Sequence, residues 1–227
     1  MEVTMKITIE WTYKIPRGGM ETVFRSDQME AGKALKMAED IEKTGRIKNL
    51  LLIDPHGSTW TMKELKRYLK EIEEEPHNIT VYFDGGYDLK TAVSGLGCAI
   101  YFEQNGKQKR LRRNVQAVGH KSNNEAEYAA LHLSIIELEL LNVHHMNVRF
   151  LGDSQVVINQ MSGEWAVLEP NLLSFTDRID AALKKLGIEA EYEHISRKMN
   201  GEADRLASQA LQGIEIAAQV EYVLESD

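Results

Sequence analysis

Thr80-Val81-Tyr82-Phe83-Asp84-Gly85-Gly86 decides how this chain folds. Four β-branched or aromatic residues run directly into an acid and two glycines, the pattern of a β-strand that carries a carboxylate to its end. The glycines are expected to turn the backbone away there, since neither has a Cβ. A carboxylate at the rim of a sheet is placed to meet a metal or a polar substrate. A lone Asp before Gly is also ordinary turn chemistry. The deciding question is whether later segments return more acids to the same rim.

Downstream, Gly95 to Phe102 reads as a second strand, and Asn105-Gly106 marks a hairpin into a third from about Lys109 to Ala117. Asn123 or Asn124 opens a long helix to about Leu141, with Tyr128, Leu131, Ile135, Leu138 and Leu141 as its apolar stripe. Then come a strand (147–152), a helix (154–161), a second helix (about 172–186), a strand (188–195) and a last helix (about 201–212). Residues 213–227 form a tail with no assigned structure. Three further acids sit at element ends. Asp153 follows the apolar run ending at Gly152, Glu127 lies in the first turn of the long helix, and Asp204 begins the last helix. Singly, each is explained by the preference for carboxylates near helix N-termini. Glu125, two residues from Glu127, must face elsewhere on the helix.

Together, Phe83-Asp84-Gly85-Gly86, Asn123-Asn124-x-x-Glu127, Asp153-Ser154-Gln155 and Asn200-x-x-Ala203-Asp204-x-Leu206-Ala207 match, in order, the four acid-bearing motifs of type 1 ribonuclease H. The resemblance covers about residues 78–212. It implies an α/β domain with a mixed five-stranded sheet, helices on both faces, and Asp84, Glu127, Asp153 and Asp204 converging at one end. It further implies a metal-dependent endoribonuclease that hydrolyses the RNA strand of RNA/DNA hybrids. The four acids would hold two Mg²⁺ ions, with Mn²⁺ as a substitute. Hard divalent cations take oxygen ligands, and a pair of them activates the attacking water and stabilises the leaving oxygen. The family's pattern places Asp84 between the ions, Glu127 and Asp153 on the nucleophile side and Asp204 on the other. By the same resemblance, Gly86, Asn123, Asn124 and Gln155 would meet the hybrid. Either His194 or Arg197 would be the auxiliary residue that assists product release. The chain departs from the family where Gly163 to Asn171 replaces a basic protrusion, and where the loop 87–94 lacks the usual Pro-Gly.

Upstream, residues 3–26 read as two strands about a turn at Pro16-Arg17-Gly18-Gly19. Ser26 or Asp27 would cap a helix to about Thr44, Leu50 to Ile53 would be a short strand, and Thr61 with Glu64 would form a capping box on a helix to about Glu75. This ββαβα unit, residues 1–76, is expected to be a small α+β accessory domain of undetermined partner, ahead of a catalytic domain at 77–212. Its hairpin mixes Trp11, Tyr13, Lys14 and Arg17, as a nucleic-acid-facing patch would, though half-buried strand aromatics with solvated cations give the same pattern.

Composition bounds the rest. With 43% apolar and 27% charged residues the chain reads as soluble and globular. No apolar run approaches the roughly 20 residues of a membrane helix. Met1-Glu2-Val3-Thr4 has neither a basic nor an apolar leader region. One cysteine, Cys98, excludes a disulfide framework, so a cytoplasmic setting is expected. The net charge of −8 opposes binding of nucleic acid through bulk charge. Residues 1–76 carry 13 Lys and Arg against 14 Asp and Glu, while the remainder carries 14 against 21, so the acidity lies with the motifs. Two other classes fit the same residues: a non-cleaving nucleic-acid-binding protein on this fold, and a related-fold exonuclease.

Overall fold

The computed structural model describes residues 5–15 and 19–222. The chain divides into two compact units, Met1–Glu74 and Glu75–Asp227. In the first, β1 (Lys6–Lys14) lies at the centre of an antiparallel sheet with β2 (Glu21–Arg25) on one side. The two-residue β3 (Met29–Glu30) pairs with its start. After α1 (Ala31–Lys43), β4 (Ile47–Ile53) pairs with the other side of β1, and β5 (Thr59–Trp60) extends the sheet before α2 (Met62–Glu74). Ile7, Ile9 and Leu52 face Ala34, Ala38 and Leu65 in a closed core. The capping box is present: Thr61 Oγ1 accepts from Glu64 N at 3.2 Å, and Glu64 Oε2 accepts from Thr61 N at 2.8 Å.

Ser26 and Asp27 do not cap α1. The Ser26 hydroxyl instead accepts from Ile9 N at 2.9 Å, and β3 intervenes before the helix starts behind Glu30. A long-range bond to β1 thus overrides the local capping preference. Val3 and the turn at 16–18 lie outside the described residues.

The second unit begins with the antiparallel strands β6 (His77–Asp88), β7 (Val93–Gln104) and β8 (Lys107–Val118). The expectation that Gly85 and Gly86 turn the chain is overturned. β6 continues past them, paired with β7 through Asp88 and Val93. Gly85 serves close approach, because a Cβ there would stand 2.2 Å from the Ala126 carbonyl. After α3 (Asn123–Leu140), β9 (Asn147–Gly152) pairs parallel to β6 as far as Tyr82 and Leu151, so Asp84 does stand just beyond the end of the parallel ladder. α4 (Gln155–Met161), α5 (Pro170–Leu186), β10 (Glu189–His194) and α6 (Gly201–Leu211) complete the motif-bearing region.

Strand alternation sorts the two faces. Val81, Phe83, Cys98, Ile100 and Phe150 point into the core under α3. On the other face Gly95 and Gly97 admit α6 so closely that Cβ atoms there would lie 2.1 Å from Ala207 O and 2.5 Å from Ala207 N. Small residues on both surfaces, with Ala203 and Ala207 on the helix, set that depth.

The tail contributes a sixth strand, β11 (Ala217–Glu221), antiparallel to β8, giving the order β10-β9-β6-β7-β8-β11. Its anchor is Asn114, fully buried on β8. The Asn114 amide donates to Leu206 O and Ile214 O at 2.9 and 3.0 Å, and its oxygen accepts from Ile216 N at 2.6 Å. Asn114→Leu leaves those three backbone groups without this partner, and is expected to cost on the order of 2 kcal/mol. Urea unfolding measures the loss, and amide hydrogen exchange at residues 214–221 should quicken in the same variant. Unchanged exchange there would show that β11 is held by other means.

Candidate active site

Four elements deliver the four acids to one cleft. β6 places Asp84 beyond its parallel ladder, and β9 ends at Gly152 so that Asp153 follows on the neighbouring strand. α3 crosses β6 over Gly85 and brings Glu127 down beside Asp84, where Gly85 N donates to Glu127 Oε2 at 3.1 Å. α6, seated on Gly95 and Gly97, supplies Asp204 from its first turn. Asp84, Glu127, Asp153 and Asp204 line the same cleft with Gly86, Tyr87, Asn123, Arg197 and Ser208.

Caps fix the helix that carries Glu127 and the helix that follows Asp153. Ser122 Oγ accepts from Glu125 N to start α3, and Ser154 Oγ accepts from Val157 N to start α4. Glu125 does face away from the cleft: its carboxylate accepts from Lys121 N at 2.8 Å and from Asn171 Nδ2 at 2.5 Å.

Asn200 ties the site together. It is fully buried, and its amide donates both to Phe83 O at 2.9 Å and to Asp153 Oδ1 at 2.6 Å. One side chain thereby couples the strand bearing Asp84, the carboxylate of Asp153 and the start of α6. The sequence shows Asn200 as a motif residue but gives no sign of this clamp. Tyr87 and Ser208 are likewise cleft residues that no sequence pattern marked.

The other expected residues fall in different places. Arg197 lines the cleft and its Nη2 lies 2.7 Å from Asp204 Oδ1. His194 is exposed at the end of β10, with Nε2 3.3 Å from the backbone oxygen of Asp153. Asn123 Oδ1 accepts from Tyr87 N at 3.2 Å, and Gly86 packs against Leu211. Asn124 and Gln155 sit in the first turns of α3 and α4, outside the cleft lining.

The electrostatics follow from burial. Asp84 is 9% exposed and Glu127 6%. Burial, then the charges of Asp153 and Asp204, push the Asp84 carboxyl up to about 7. Burial, then Asp84 and Asp153, push Glu127 up to about 9. These groups resist ionisation until a positive charge joins them.

Among the described residues no three His, Cys, Asp or Glu side chains form a closed ligand set as they stand. Asp204 faces Arg197 and Asp153 faces Asn200 instead. The donors still suit a hard divalent cation: carboxylate oxygens at the end of one sheet, two of them held against ionisation by burial and mutual repulsion.

Residues 82–210 match the family model described as reverse transcriptase-like. The "Uncharacterized protein YpeP" of Bacillus subtilis is 39% identical over 193 residues, covering 85% of each chain, so that match takes in part of the first unit too. The "Bifunctional protein Rv2228c" of Mycobacterium tuberculosis is 31% identical over 133 residues, 59% of this chain and 35% of that one, so the chain spans about a third of that relative. Its solved N-terminal RNase H domain superposes with a TM-score of 0.52 at 27% identity, over 60% of this chain and 94% of the other. The structure of LC11-RNase H1 in complex with RNA/DNA hybrid gives 0.54 at 27% identity, over 60% and 98%.

Proposed function

Since the chain belongs to the reverse transcriptase-like family and its second unit has the fold of type 1 ribonucleases H, we propose that it is a ribonuclease H that cuts the RNA strand of RNA/DNA hybrids. The observation that carries this reading is the convergence of Asp84, Glu127, Asp153 and Asp204 on one cleft. A pair of Mg²⁺ ions, or Mn²⁺ in their place, would activate the attacking water and stabilise the leaving oxygen.

The chain's own residues prepare that step. Asp84, the most central acid, shares its surroundings with Glu127 and Asp153, and these three would hold one cation while Asp84 and Asp204 hold the other. Gly85 N and Asn200 fix the carboxylates of Glu127 and Asp153, so their oxygens are positioned before any ligand arrives. Arg197, already paired with Asp204, supplies a positive charge at the rim and is the better placed of the two auxiliary candidates. Asn123 and Gly86 present polar and unobstructed backbone surface at the same rim, where the 2′-hydroxyls of an RNA strand would be read.

The test is cleavage of an end-blocked, labelled RNA/DNA hybrid with Mg²⁺ or Mn²⁺, beside single-stranded and double-stranded RNA and an EDTA control. Internal cuts confined to the hybrid are expected. Tight hybrid binding with no cutting in either metal would favour a binding protein, and cutting only at free ends an exonuclease. A second readout needs no substrate. Because a cation relieves the repulsion among the acids, Mg²⁺ should raise the thermal unfolding midpoint at pH 8, with a smaller rise in Asp84→Asn. An equal rise in both proteins would place the cation elsewhere.

A further inference from the structure

The sheet of the first unit ends in an open edge. β2 is the last strand in the order β2-β1-β4-β5, and all of its residues are exposed. Ile15 N donates to Met20 O at 3.1 Å and Ser26 N donates to Ile9 O at 2.9 Å, so the even-numbered residues of β2 turn their backbone groups toward β1. Alternation leaves the N–H and C=O groups of Glu21, Val23 and Arg25 facing outward, and among the described residues no strand takes them up. A proline or a bulge usually blunts such an edge, and β2 has neither. Val23 stays 61% exposed and Phe24 45%, although both residue types favour strand pairing.

The charges on this edge match a copy of themselves. Glu21, Val23 and Arg25 share one face of the sheet, with Thr22 and Phe24 on the other. An antiparallel pairing of two β2 strands centred on Val23 sets Glu21 of each chain opposite Arg25 of the other, and Thr22 opposite Phe24. That single register engages the whole strand and makes hydrogen-bonded pairs of the outward-facing residues. It also continues a pattern already present, since on β1 Lys14 stands opposite Glu21 and Glu10 opposite Arg25. Across the two chains the row then reads Lys14, Glu21, Arg25, Glu10, alternating in sign from strand to strand. Glu21 lies 3.1 Å from Lys48, whereas Arg25 has no ion pair among the described residues. The edge strand β10 is the contrast: Glu189, Glu191 and Glu193 share a face, so pairing with its own copy opposes like charges.

We propose that the protein forms a two-fold homodimer in which β2 pairs antiparallel with β2 of a second copy, joining the two first units into one continuous sheet. The interface is isologous, as a two-fold axis at Val23 requires. A strand from another protein could take the same backbone bonds, but the order of charges along β2 selects a second copy. The inference stands on the first unit and not on cleavage by the second. Its consequence is a particle that carries two copies of the acidic cleft.

Sedimentation equilibrium of the full chain in EDTA tests this. The parent is expected to reach twice its 25.8 kDa mass as its concentration rises. Val23→Pro should stay monomeric, because its N–H faces outward and the ring removes a bond to the second copy but none to β1. Glu21→Arg and Arg25→Glu each set like charges opposite one another twice, and each should weaken association roughly tenfold or more. An equimolar mixture of those two proteins restores opposite charges at both positions and should dimerise as the parent does. Circular dichroism checks that each variant is folded, and the mixture carries the test if Val23→Pro is not, since damaged chains would not recover on mixing. A parent that stays monomeric leaves the edge to a strand of another protein and overturns the proposal. A dimer indifferent to both charge reversals, or a mixture that stays monomeric, overturns it as well.

Discussion

Asp84→Asn is expected to lower hybrid cleavage by roughly 10³-fold or more while making the metal-free protein more stable at pH 8. The two effects have one origin. Asp84 is nine-tenths buried beside Glu127, Asp153 and Asp204, and among the described residues Arg197 is the positive charge that opposes their repulsion. The amide keeps the size of the carboxylate but supplies neither its charge nor two equivalent oxygens, so the cation site loses its central ligand. The stability effect follows from the raised pKa. An acid whose folded pKa lies above its unfolded value contributes stability that is fully present below about pH 4 and is lost as pH rises through the folded value, here about 7. The parent therefore weakens between pH 5 and pH 8, and Glu127 extends the decline toward pH 9. The variant is spared the Asp84 share, on the order of 2 kcal/mol. Urea unfolding in EDTA at the two pH values measures it. A variant that is the less stable at pH 8, or that cuts hybrid at the parental rate, would remove Asp84 from the centre of the site.

The legible part of this molecule is what depends on local pattern. The strand at 80–84, the Asn105-Gly106 hairpin and the Thr61–Glu64 box are each written in a few adjacent residues, and each forms. The four acids were visible because element ends are where a sheet presents them. What stayed hidden depends on partners far away in sequence. β11 has no strong strand signature, and it forms because the buried Asn114, about 100 residues earlier, accepts and donates the bonds that dock it. The clamp by Asn200 spans 117 residues to Phe83 and 47 to Asp153. The sequence neighbours of Ser26 favour a cap, yet its hydroxyl accepts from Ile9 N, 17 residues away. Gly85 and Gly86 depart from their local signal for the same reason. A glycine pair is a turn signal locally, and only the helix above shows that the missing Cβ of Gly85 makes room.

That missing Cβ leads to the largest structural effect. Gly85→Ala is expected to destabilise the protein by about 3 kcal/mol or more and to abolish cleavage with it. A Cβ at this position would fall 2.2 Å from both C and O of Ala126 and 2.4 Å from Glu127 N. All three are backbone atoms in the first turns of α3, so no side-chain rotation relieves the overlap. The helix must move off the sheet or its first turn must unwind. Either movement breaks the bond from Gly85 N to Glu127 Oε2 and separates Glu127 from Asp84. Thus the glycine sets the spacing of the acids as well as the packing of α3. The control is Gly201→Ala at the start of α6, where nothing lies within 4 Å of the added atom and φ is not left-handed. There the substitution should leave stability unchanged or raise it by a few tenths of a kcal/mol, through the reduced freedom of the unfolded chain. Thermal unfolding of both variants gives the comparison. If Gly85→Ala melts with the parent and keeps its activity, α3 does not rest on β6 at backbone contact, and the placement of Glu127 beside Asp84 fails with it.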